Sequence, residues 1–215
     1  MDKTLTKLVK LPYFRTSHLE ALLPHLKKPS LYQKISRWLK KSEIIELKKG
    51  YYVTKEYKEK NISDPSYLFY LANILRYPSY VSGAYILSKY DILTEITYPI
   101  TSITTKTTRI YTNSLGNFIY YSISSKLYKG YDRQLFKNEP IYAASLAKAL
   151  FDYLYIKYAR RKIKAAEIIA RERLNLENFK KNDIKEFKEY CRLSNKKILL
   201  ELGLKLFKSR QELYF

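Results

Sequence analysis

The chain has 215 residues, of which 46% are apolar, enough for a packed core and for two domains. Its 41 Lys and Arg outnumber 20 Asp and Glu, a formal net charge of +21 that favours polyanionic partners over cationic ones. One cysteine, Cys191, excludes an intramolecular disulfide, and five Gly with seven Pro exclude a low-complexity scaffold.

The opening MDKTLTKLVKLPYF breaks every apolar run with a charge, unlike a secretory leader, and no stretch approaches the roughly 20 apolar residues of a membrane span. The expectation is a cytoplasmic protein with no membrane partner. Leu5, Leu8 and Val9 recur at helical spacing up to Pro12. A second helix is expected in RTSHLEALLP, with Ser17 and Glu20 at capping-box spacing. A third opens at Ser30 and places Leu31, Ile35, Trp38 and Leu39 on one face; Ser30, Gln33, Ser36, Arg37 and Lys40 fall on the other. EIIEL and YYVT then read as strands joined by Lys48, Lys49 and Gly50. Three short helices followed by a hairpin is the winged helix-turn-helix plan, in which the basic helix enters the major groove and the hairpin tip follows the backbone. Gln33 and Arg37 carry side chains that read base edges, and Ser30 and Ser36 suit phosphates.

KEYKEKNIS reads as a polar linker. DPSYLFYLANILRY reads as a helix capped by Asp64, and SYVSGAYILSKYDIL as another capped by Ser79. ITSITTKTTRIYT reads as a strand, NSLGN as a turn and FIYYSIS as its partner; KLYKGYD and EPIYAAS add short extended pieces. From about Ala143 the chain reads as helical to its end. The fold class is therefore α+β: an N-terminal winged helix-turn-helix over 1–62, then a mixed α/β C-terminal domain over 63–215 ending in helices.

The charge is unevenly spread. Residues 1–60 hold 15 bases and 6 acids, residues 61–100 hold 2 and 3, and residues 157–215 hold 17 and 8. The second basic cluster, KYARRKIK, offers Arg160, Arg161, Lys162 and Lys164 as a second DNA contact, or as the solvated end of an amphipathic helix.

Signals for catalysis are weak. His18 and His25 lie far from Cys191 in sequence, and neither metal-ligand spacings nor a Gly-rich phosphate loop occurs. Cys191, beside Arg192, reads as inert packing, and Lys148 with Asp152, four apart on a helix, reads as a surface ion pair. No catalytic residue, metal or cofactor is expected.

The order of SEIIELKKGYYV, YVSGAYILSKYDILTE, ITSITTKTTRIY, FIYYSISSKLYKGY and IYAASLAKALFDYLY, roughly residues 5 to 160, resembles the AbiEi-like family. These are antitoxins and transcriptional regulators of type IV toxin–antitoxin systems in abortive phage defence. The resemblance implies an autorepressor that binds inverted repeats in its own promoter. It also implies a C-terminal domain that counteracts a nucleotidyltransferase-like toxin without a stable complex. Carried onto this sequence, the DNA face is Ser30, Gln33, Lys34, Arg37 and Lys40, with Lys48 and Lys49 on the wing. A stand-alone regulator without a toxin and a basic RNA-binding protein are the alternatives.

Overall fold

The computed structural model describes residues 2–95 and 97–208. The protein is α+β, and its contacts divide it into two compact units. The first runs up to Leu68 and includes 111–117; the second takes 69–110 and everything from Phe118 onward.

The first unit begins with α1 (Lys3–Leu8), where the Asp2 carboxylate accepts from the Thr4 N–H at 2.9 Å. Strand β1 (Phe14–Arg15) leads directly into α2 (Thr16–Leu22). The Ser17–Glu20 capping box expected from the sequence does not form. The strand carries the chain through Arg15, so the helix starts at Thr16 and Ser17 falls inside its first turn; the Arg15 N–H reaches His18 Nδ1 at 3.4 Å instead. Helix α3 (Lys28–Lys40) opens two residues before Ser30, with Pro29 in its first turn, where a missing N–H is no loss.

Strands β2 (Ile44–Lys48) and β3 (Tyr51–Thr54) form the expected antiparallel hairpin, and β1 adds on the far side of β3. Gly50 takes φ 76° in the hairpin turn, the left-handed region that favours glycine. The core gathers Leu5, Leu8, Phe14, Leu19, Leu31, Ile35, Trp38, Ile44 and Tyr52, the apolar stripes of the helices against one face of the sheet. Each fully buried Leu or Ile here is worth about 1.5–3 kcal/mol of removal from water.

KEYKEKNIS is not a linker. Residues 55–61 form α4 (Lys55–Asn61), because the Thr54 hydroxyl accepts from the Tyr57 N–H at 3.2 Å and caps it. Lys60 and Glu56, four apart, pair at 2.6 Å, and Tyr57 is buried. Helix α5 (Pro65–Leu75) is capped as expected, with Asp64 accepting from the Ser66 N–H at 2.8 Å.

In the second unit SYVSGAYILSKYDIL is not one helix. Ser79, expected as a cap, lies in strand β4 (Ser79–Val81); Gly83 then turns with φ 68° and α6 (Ala84–Lys89) follows. The expected single strand over ITSITTKTTRIYT is two, β5 (Ile100–Thr104) and β6 (Arg109–Asn113). With β7 (Gly116–Ser122), β8 (Tyr131–Phe136) and β9 (Glu139–Ala144) they make a mixed sheet ordered β6-β7-β5-β4-β9-β8. Strand β5 runs parallel to β7 and antiparallel to β4, while β4 runs parallel to β9.

The sheet lies between helices. On one face the Tyr120 hydroxyl donates to the Ala72 carbonyl of α5 at 2.6 Å. On the other, Tyr80 and Ser82 reach α7 (Leu146–Tyr158). Helices α9 (Lys181–Ser194) and α10 (Lys197–Lys205) pack beyond α7 and on one another. The long helix read through KYARRKIK is interrupted: α7 ends at Tyr158, and α8 (Ala165–Glu172) begins only after Lys164.

Candidate nucleic-acid interface

Helix α3 sorts its residues by period. Leu31, Ile35 and Trp38 are buried, while Ser30, Gln33, Ser36, Arg37 and Lys40 are exposed. The buried stripe clamps the helix to the core, so the exposed face presents a hydroxyl, an amide, a guanidinium and an ammonium at fixed positions. Lys34 sits between the two faces. Its ammonium pairs with Asp2 at 2.5 Å and lies 5.0 Å from the Trp38 ring centroid, so its charge is engaged within the unit. Partial burial works against the charge of Asp2, but the Lys34 ammonium and the Thr4 N–H outweigh it and hold the carboxyl below its usual range.

At the hairpin tip Lys49 is exposed and Lys48 half-buried, the Lys48 ammonium 4.0 Å from the Tyr51 ring centroid. The sequence reading missed Arg15. It pairs with Tyr51 across β1 and β3, and its guanidinium lies 5.1 Å from the Tyr51 ring centroid and 5.8 Å from that of Tyr13. The signal was Tyr13 and Arg15 alternating with the buried Phe14, a period-2 pattern too short to read as a strand.

In the second unit Arg160, Arg161, Lys162 and Lys164 are all exposed on the loop between α7 and α8. Arg160 and Arg161 line a cleft of about 390 Å³ beside β5. Arg161, Lys162 and Lys164 line a groove shared with Lys196 and Lys197 at the start of α10.

Lys148 and Asp152 do not form a surface pair. Both side chains are wholly buried, 2.6 Å apart, because α7 is covered by the sheet on one side and by α9 on the other. Asp152 also accepts from Ser82 Oγ at 2.7 Å and from the Tyr80 hydroxyl at 3.1 Å. Burial pushes the carboxyl up and the ammonium down; the pair's own attraction and the two hydroxyl donors oppose that. Cys191 is buried too, and desolvation pushes its thiol up to about 12. Among the described residues no three His, Cys, Asp or Glu side chains gather so as to hold a metal ion, and no helix is long and apolar enough to cross a membrane.

Comparison of the chain with models of known protein families gives no match, and comparison with curated proteins gives none either.

Proposed function

We propose that the first unit is a winged helix-turn-helix that binds double-stranded DNA, with α3 in the major groove and the β2–β3 tip on the adjacent backbone. The observation that carries this reading is the outward face of α3: Gln33 and Arg37 side by side with Ser30 and Lys40, all exposed on a helix whose opposite face is locked into the core. Arg and Gln present the bidentate donors and acceptors that discriminate base edges, and Lys40 and Lys49 add charge for phosphates. The excess of bases over residues 1–60, 15 against 6 acids, supports it.

The resemblance to AbiEi-like proteins extends the proposal to function in the cell. The protein represses its own promoter at inverted repeats and counteracts a nucleotidyltransferase-like toxin through the second unit. An adjacent reading frame of that class would support the antitoxin role; without one, the stand-alone regulator is the better description.

The test is fluorescence anisotropy with a duplex covering the DNA upstream of the reading frame. Arg37→Ala and Gln33→Ala should each weaken specific binding by about 1–3 kcal/mol, roughly five- to 150-fold, leaving the thermal midpoint unmoved. Unchanged affinity in both variants would remove α3 as the reading helix.

A further inference from the structure

The loop read from the sequence as a second DNA contact borders a more specific shape. The cleft between β5 and the end of α7 has a volume of about 390 Å³, the size that holds a small organic molecule rather than a polymer. Its apolar lining comes from Ile103 and the half-buried ring of Tyr121 on the sheet and from Ile156 on α7. Its cationic lining is Lys157, Arg160 and Arg161, at and just beyond the end of α7.

The charges differ in availability. Lys157 is spent on Glu172 at 2.7 Å. Arg160 and Arg161 have no carboxylate partner among the described residues, although the Arg161 guanidinium lies 5.7 Å from the Tyr158 ring centroid. The Tyr121 hydroxyl also lacks a partner among the described residues. Polar groups on the floor are already satisfied: Ser82 Oγ donates to Asp152, and Thr101 Oγ1 donates to the Ser82 carbonyl while accepting from the Tyr85 N–H. Among the cleft's polar side chains, two guanidinium groups and one phenol are thus left without a hydrogen-bond or carboxylate partner among the described residues.

We infer that this cleft binds a small organic phosphate with a flat body, of the size and chemistry of a nucleoside monophosphate. A guanidinium group can meet a phosphate bidentately, as an ammonium group cannot, and two arginines line the cleft. The Tyr121 ring and Ile156, both half-buried, give the flat body apolar surface to lie on, and the phenol gives one edge a hydrogen bond. Among the described residues no acid lines the cleft itself: Asp152 is buried and Glu172 is paired with Lys157, while Glu167 and Glu201 line the neighbouring groove that Arg161 also borders. The inference is independent of the DNA reading, since it lies wholly in the second unit.

Isothermal titration of the full chain with AMP and with UMP tests it, alongside adenosine, inorganic phosphate and a short single-stranded oligonucleotide. The expected result is one site per chain for the nucleotides, with phosphate alone and adenosine alone each weaker. Arg160→Ala with Arg161→Ala should weaken AMP by about tenfold or more, and Tyr121→Ala by several-fold, while Tyr121→Phe, which keeps the ring, stays close to wild type. The inference is overturned if neither nucleotide binds at concentrations up to about 1 mM. It is equally overturned if the arginine variant binds AMP as wild type does, or if inorganic phosphate binds as tightly as AMP. If the oligonucleotide alone binds, through the same arginines, the loop is a polymer contact and the small-molecule site is wrong.

Discussion

Lys148 and Asp152 stand one helical turn apart on α7 and form a 2.6 Å ion pair that solvent does not reach. Removing one partner leaves the other charge buried alone. Lys148→Met should therefore cost about 3–5 kcal/mol in urea unfolding followed by circular dichroism. The double variant Lys148→Met with Asp152→Leu should be more stable than either single variant, because the uncompensated charge is gone. A double variant as unstable as the sum of the two would mean the pair is not energetically coupled.

Gly130 lies hard against the Tyr190 side chain of α9. A Cβ built there would sit 2.0 Å from the Tyr190 hydroxyl oxygen and 3.1 Å from Lys148 Cγ, and the residue's φ is 77°. Gly130→Ala should destabilise by about 2–5 kcal/mol, combining left-handed backbone strain with overpacking. Tyr190→Phe in the same background removes the nearest atom and should recover part of the loss. Thermal unfolding of the wild type and the two variants checks this.

Glu172 supplies a pH dependence whose sign follows from its surroundings. Burial alone would raise its pKa, but the Lys157 ammonium and the hydroxyls of Tyr153 and Tyr158 outweigh that and hold the carboxyl below its usual value of 4.5. A carboxyl depressed in the folded state stabilises the fold above its unfolded pKa and loses that contribution as pH falls through the lower folded value. The stability gap between wild type and Glu172→Gln should thus be constant from pH 7 to about 5 and narrow below about 4. Urea midpoints across that range decide it; a gap that widens in acid would contradict the assignment.

Cys191 should be silent. With its thiol pushed up to about 12 by burial, it carries almost no thiolate at neutral pH, so Ellman's reagent should label the chain only after denaturant is added. Rapid labelling of the folded protein would show that α9 opens or that the thiol is activated.

Some of this was legible in the residues and some was not. The buried stripe of α3, the hairpin turn at Gly50 and the Asp64 cap are local patterns, set by side chains within a few positions of one another. Helix α4 was locally encoded as well, in the Thr54 cap and the Lys60–Glu56 pair, but its polar composition masked it. The burial of Lys148 and Asp152 had no local signal: their partners Tyr80 and Ser82 lie about 70 positions away and meet them only when β4 packs on α7. Strand β4 was misread for the same reason. Its pairing with β5 and β9 overrides a helical pattern, and Gly83 admits the turn that separates it from α6. At the α3 face, the period placed Gln33 and Arg37 outside, but only the folded chain shows Asp2 reaching Lys34 and the aromatic rings around Arg15.

The measurement that bears most directly on the DNA proposal is the salt dependence of duplex binding, for wild type and for Lys49→Ala. Phosphate contacts by Lys40, Lys49 and their neighbours should give a slope of log K against log salt of roughly −5 or steeper, flattened by about one unit in the variant. A slope near zero, or a preference for single strands over the duplex at every salt concentration, would contradict it.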